Sequence, residues 1–192
     1  MDIQFSAWAR AGAIFSFGVT GMTDRHPSLD VTHWHLIHDV SLTATQQSWL
    51  GECQSMTARF ERHCGKVTIV PQREGFIGVD SLGEELTQLP DCERFWLREV
   101  LLCGDNVPWL FGRTLIPETS LTGEEVSLLT LGTVPLGRYL FKAAELTRDF
   151  IQVGEQGELW ARRSRLRLSG KPLLLTELFL SESPLYGVNN EL

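Results

Sequence analysis

Apolar side chains recur at helical spacing at Trp49, Leu50, Cys53, Met56 and Phe60, just after Thr43-Ala44-Thr45-Gln46, which has the form of a capping box. The spacing predicts an amphipathic helix over 43–63. Residues 66–70 read as a short β-rich run stopped by Pro71, and 80–93, acidic and carrying Gly83 and Pro90, as a surface loop. From 94 to 103 a strand is apolar on both sides: Trp96, Val100 and Leu102 share one face, and Phe95, Leu97 and Leu101 the other. Gly104-Asp105-Asn106 is a turn signal and 109–116 a returning strand, so a hairpin is expected. Thr122-Gly123-Glu124-Glu125 resembles a second capping box, opening a short helix to about Leu131. Residues 150–153, 159–168 and 173–180 are further strands, parted by 154–157 and by Ser169-Gly170-Lys171-Pro172. Strands joined by short turns, with helices clustered early and mid-chain, predict an α+β fold. Its antiparallel sheet is covered by helices on one face, and an alternating βαβ order is not expected.

Two charges break this pattern. Arg98 falls on the face of Trp96, Val100 and Leu102, and Glu177 on the face of Leu173, Leu175 and Phe179. A lone buried charge is costly by several kcal/mol, so each needs a partner. One reading pairs them with each other or with backbone groups. The other makes them the polar ends of a closed pocket for a small anion, the guanidinium matching a carboxylate by parallel hydrogen bonds. A carboxyl set in an apolar wall tends to be raised in pKa and can trade a proton near neutral pH.

The densest positive stretch is Arg162, Arg163, Arg165, Arg167 and Lys171. Arg163, Arg165 and Arg167 project from one strand face, which reads as a solvated or salt-bridged surface, or else as a field that draws in an acidic substrate. No stacking aromatics are interleaved with them, which argues against nucleic acid.

The chain has 192 residues, 43% hydrophobic and 21% charged, with 24 acidic against 17 basic side chains and a net charge of −7. That length suits one domain, and the acidic balance again argues against a nucleic-acid partner. No apolar run is long enough for a membrane span. Cys53, Cys64, Cys92 and Cys103 show no C-x-x-C spacing, and free thiols in a reducing cytosol are the simpler reading. His33, His35 and His38 form an H-x-H-x-x-H string with no completing ligand beyond Asp39, so no metal site is assigned. G-x-S-x-G, P-loop and G-x-G-x-x-G motifs are absent. Residues 1–40 read as a leader and 41–192 as one folded domain. The mildly apolar 11–22 lacks the basic start of a signal peptide, so the leader is either poorly packed or precedes a true start at Met22.

Several blocks then carry a resemblance: Ser55-Met-Thr-Ala-Arg-Phe60, Arg73-Glu-Gly-Phe76, Trp96-Leu-Arg-Glu-Val-Leu-Leu-Cys103, Pro108-Trp-Leu-Phe-Gly-Arg-Thr-Leu-Ile-Pro117 and Pro135-Leu-Gly-Arg-Tyr-Leu-Phe141. Leu146-Thr-Arg-Asp-Phe-Ile151, the 159–180 segment and Ser183-Pro-Leu-Tyr186 continue it. In these blocks the chain closely resembles the chorismate pyruvate-lyase family, from about residue 42 to 186. The leader and residues 187–192 extend beyond the family's pattern.

The resemblance implies a six-stranded antiparallel sheet flanked by helices. It also implies a cytoplasmic monomer that uses neither metal nor organic cofactor, and a lyase converting chorismate to 4-hydroxybenzoate and pyruvate for the ubiquinone head group. Product-binding positions of the family fall on Met56, Arg98, Leu136 and Glu177. Two of these are the charges singled out by burial. In that reading Arg98 meets the ring carboxylate, Leu136 offers a backbone amide and an apolar wall, and Met56 lines the pocket. Glu177 meets the 4-hydroxyl end, transferring a proton or polarising that hydroxyl. A product held under closing loops would leave slowly. The alternative is a non-catalytic, small-molecule-sensing domain of the same fold, as in certain transcription regulators. The residues before the match are too few and insufficiently basic for a DNA-reading module.

Overall fold

Residues 29–140 and 145–187 are described by a computed structural model of the chain. At its centre is one antiparallel sheet of β1 (His35–Leu36), β2 (Val67–Gly78), β3 (Arg94–Gly104), β4 (Val107–Pro117), β5 (Leu146–Gln156), β6 (Leu159–Leu168) and β7 (Lys171–Phe179). The strands lie in the order β1-β5-β6-β7-β4-β3-β2. The α+β class holds, with a correction: the sheet has seven strands, not six. The added strand is β1, where His35 and Leu36 pair with Val153 and Gln152 on the edge of β5. Two residues span less than one full pleat alternation, so periodicity could not reveal it. The expectations for the apolar stretch 11–22 and for a start at Met22 lie outside the described residues.

Turn chemistry sets the strand registers. Asp105 and Asn106, with φ of 47° and 69°, form the left-handed pair that a two-residue hairpin between β3 and β4 requires. The Asp105 carboxylate also accepts from the backbone amides of Gly65 (3.1 Å) and Lys66 (2.9 Å), tying down the entry to β2. Ser169 and Gly170, at 49° and 78°, repeat the device between β6 and β7.

The single helix expected over 43–63 is two short ones, α1 (Ala44–Leu50) and α2 (Met56–Phe60). Thr43 and Gln46 do form a capping box, and Ser55 caps α2 through the Ala58 amide. β2 does not stop at Pro71 but runs through it with a register shift before Arg73, as an edge strand with a bulge tolerates. The 80–93 segment includes a 3-10 helix at Glu84–Gln88. Thr122 makes no side-chain cap; Gly123–Thr130 is a 3-10 helix whose Glu125 pairs instead with Lys171 at 2.5 Å. A third α-helix, α3, covers Leu136–Leu140. The four cysteines are free.

Both sheet faces are covered. On one, Leu50 of α1 and Phe60 of α2 are completely buried together with Leu110 and Phe179 of the sheet. Burial of each contributes about 1.5–3 kcal/mol at most. On the other, Phe95, Leu97, Leu115 and Leu174 pack against Leu82, Leu86 and Phe150. Among the described residues no helix is long and apolar enough to cross a membrane.

Candidate active site

Strand register lays two rows of side chains across the α1–α2 face of the sheet. Arg98, Thr114, Leu175 and Ser164 are successive partners across β3, β4, β7 and β6. One pleat repeat further on lie Val100, Gly112, Glu177 and Arg162. Arg98 and Glu177 are therefore two strands and two residues apart, roughly 12 Å between Cα positions from ordinary strand spacings. Gly112 between them carries no side chain, which leaves room over the sheet.

That room is a pocket between the sheet and the two helices that cover it. Its floor includes Ile69, Arg98, Val100, Leu110, Thr114, Arg162, Leu175 and Glu177. Met56 and Thr57 of α2, with Pro135, Leu136, Gly137 and Leu140 at α3, cover it. The covers touch: a Cβ on Gly137 would stand 2.7 Å from the Ser55 hydroxyl, so only a glycine lets α3 approach the cap of α2 this closely. A largely apolar cleft with a few converging polar groups is the usual form of a small-molecule site.

Arg98 and Glu177 are 3% and 4% exposed, and they do not pair with each other. Arg98 donates from Nε to Glu74 (2.7 Å) and from Nη2 to the carbonyls of Gly132 (2.7 Å) and Val134 (3.2 Å). Its Nη1 has no hydrogen-bond partner among the described residues, so one end of the fork stays open. Burial pulls this guanidinium below its ordinary value, while the hydrogen bond and charge of Glu74 oppose the pull. Glu177 accepts at Oε2 from Nε of Arg162 (2.5 Å), and its Oε1 has no hydrogen-bond partner among the described residues.

The same cations hold the covers in place. Arg98 grips the chain just before Pro135, as its bonds to Gly132 and Val134 show. Arg162 donates to the carbonyls of Leu50 (3.4 Å) and Glu52 (2.7 Å), between α1 and α2. Arg148 donates to the Cys53 carbonyl (3.4 Å) and the Ser164 hydroxyl (2.6 Å). This accounts for the broken helix: an unbroken one would use these carbonyls internally, and the break turns them toward the buried arginines.

All the positions named from sequence, Met56, Arg98, Leu136 and Glu177, line this one pocket. Leu136 stands at the first position of α3, directly after Pro135. Sequence reasoning missed Arg162 and Arg148. Arg162 shares its strand face with Ser164, Leu166 and Leu168, so it is as misplaced by alternation as Arg98 is. Grouping it with Arg163, Arg165 and Arg167 hid that. Those three face the other side of the sheet. Arg163 binds Gln152 and Glu84 beside the Trp34 ring, and Arg165 and Arg167 share Asp149. The His33–His38 string gathers no ligand set, and among the described residues no group of three or more His, Cys, Asp or Glu could hold a metal ion.

Residues 28–190 match the family described as chorismate lyase. The chain is 62% identical over 155 residues to chorismate pyruvate-lyase of Yersinia enterocolitica, covering 81% of this chain and 92% of that one. It is 58% identical over 167 residues to chorismate pyruvate-lyase of Serratia proteamaculans, covering 87% and 96%. Among solved structures, the C-terminal domain of the histidine utilization repressor from Pseudomonas syringae pv. tomato matches at 11% identity with a TM-score of 0.49, covering 66% of this chain and 99% of that one. A likeness of that size says nothing about what either protein binds.

Proposed function

The chain belongs to the chorismate lyase family, and on that premise we propose how its pocket handles the substrate. The protein is an enzyme that converts chorismate to 4-hydroxybenzoate and pyruvate. The gathering of Met56, Arg98, Leu136 and Glu177 around one enclosed space supports this pocket as the place of reaction. The open Nη1 of Arg98 binds the ring carboxylate. Leu136 adds its backbone amide and an apolar wall, Met56 forms the roof, and the free Oε1 of Glu177 accepts the 4-hydroxyl hydrogen at the other end.

Chorismate loses its C4 hydrogen as a proton, and that electron pair becomes the C3–C4 π bond. The C3–O bond breaks with its pair on oxygen, and the departing pyruvate enolate takes up a proton at carbon. Aromatisation drives the step, so the protein's task is to hold a reactive conformer and to stabilise the shifting charge in a dry site. With Arg162 as its counter-ion, Glu177 serves as a fixed acceptor that orients the 4-hydroxyl. The enzyme works as a cytoplasmic monomer, without metal or organic cofactor, and supplies the head group of ubiquinone.

Purified protein incubated with chorismate tests the reading by the identity of its aromatic product on chromatography. We expect 4-hydroxybenzoate. Another hydroxybenzoate isomer, or saturable chorismate binding with no aromatic product, would replace the reading with a different lyase or with a sensor.

A further inference from the structure

Chorismate brings two carboxylates into the pocket, but the arrangement above gives a partner to only one of them. Of the cations that line the pocket, Arg98 is paired with Glu74 and Arg162 with Glu177. Arg148 is different. It donates to the Ser164 hydroxyl and to the Cys53 carbonyl, neutral acceptors both, and among the described residues no carboxylate lies within ion-pair distance of it. The bond to Cys53, at 3.4 Å, is at the outer limit of a hydrogen bond and easily exchanged.

Its position matches the chemistry of the substrate. Ser164 and Arg162 are two residues apart on the same face of β6, so Arg148 stands beside the Arg162–Glu177 pair. That is the end of the pocket assigned to the 4-hydroxyl. The enolpyruvyl ether is on C3, the ring carbon next to the one bearing that hydroxyl, so its carboxylate reaches the same neighbourhood.

A break in β5 aims the side chain there. The pairing of β5 with β6 shifts register between Arg148 and Phe150. Phe150 packs on the opposite sheet face with Leu97, Leu115 and Leu174, and the interposed Asp149 pairs with Arg165 and Arg167 on that same face. In a regular strand Arg148 and Phe150, two residues apart, would share a face. The bulge lets one serve the far core while the other enters the pocket, a known use of bulges beside active sites. Burial, and then the charge of Arg162, pull the Arg148 guanidinium below its ordinary value, while Glu177 opposes them. An added anion would favour its charged form.

We propose that Arg148 is the anchor for the enolpyruvyl carboxylate of chorismate, the group that leaves as pyruvate. The inference rests on the pocket being the chorismate site. It separates substrate from product: both bear the ring carboxylate met by Arg98, and only the substrate bears the second one.

The test compares a dicarboxylate, 3-(1-carboxyvinyloxy)benzoate, with 4-hydroxybenzoate as ligands, and follows KM for chorismate alongside. In Arg148→Gln the KM for chorismate and the Kd of the dicarboxylate should rise about ten-fold or more, the scale of a lost charged hydrogen bond. The Kd of 4-hydroxybenzoate should stay within about three-fold of wild type, which also shows that the variant is folded. On the wild-type protein, the side-chain methyl ester of the dicarboxylate should bind about ten-fold more weakly than the diacid. Equal weakening of both ligands in Arg148→Gln, unchanged affinity for both, or an ester that binds as tightly as the diacid would overturn the assignment. Wild-type turnover is the control. Absence of pyruvate there removes the underlying reading, whereas turnover with an indifferent Arg148→Gln removes this inference alone.

Discussion

Arg162 and Glu177 face each other across β6 and β7 and share a 2.5 Å hydrogen bond from Nε to Oε2. The acid in the pocket thus carries its own counter-ion, and that counter-ion also binds the chain between α1 and α2. Removing one partner strands a buried charge. Arg162→Met is expected to lower unfolding free energy by about 3–5 kcal/mol, and Arg162→Met with Glu177→Leu to recover most of that. Denaturant melts of both variants measure it; equal destabilisation in the single and double variants would contradict the pairing.

Arg98→Ala removes the guanidinium assigned to the ring carboxylate. Binding in the transition state should weaken by about 1.5–3 kcal/mol, the scale of a charged hydrogen bond. The corresponding drop in kcat/KM is about 10- to 150-fold. Affinity for 4-hydroxybenzoate should fall with it, because substrate and product share that carboxylate. Steady-state kinetics and product titration read both, and wild-type kinetics in the variant would remove the assignment.

Glu177→Gln keeps the shape of the side chain and loses the charge. As an orienting acceptor, Glu177 should tolerate this with about a ten-fold loss and altered product affinity. A fall in kcat of about 10²-fold or more at constant KM would instead assign it the transfer of a proton.

Acid should loosen the segment that leads into α3. The hydrogen bond from Lys171 holds the Glu125 carboxyl below the ordinary carboxylate range, with burial opposing. As pH falls, the unfolded chain takes up its proton first. The stabilisation is therefore complete above the unfolded value of about 4.3 and is lost as pH drops through the folded one. Glu125→Gln should be less stable than wild type at neutral pH by about 0.2–1 kcal/mol, as for a partly exposed pair. The gap should close below about pH 4, and melting temperatures across a pH series would show it.

The turn at Asp105-Asn106 was legible because a left-handed pair has few chemical solutions, and Arg98 and Glu177 because a charge in an apolar strand face stands out. Arg162 was equally legible by the same alternation, had it been separated from its odd-numbered neighbours. Arg148 was not, since the bulge at Asp149 shifts the face of every later residue in β5 and leaves no mark in composition. The break between α1 and α2 was hidden for a related reason. Trp49, Leu50, Met56 and Phe60 keep a helical spacing through Gly51-Glu52-Cys53-Gln54, and the carbonyls freed at the break go to buried arginines far along the chain.

Metal-free turnover of chorismate is read from pyruvate release in a coupled assay with a chelator present. One pyruvate should appear for each 4-hydroxybenzoate formed, at a rate the chelator does not change. Chorismate that binds and is recovered intact, or turnover abolished by the chelator, would refute a metal-free lyase reaction in this pocket.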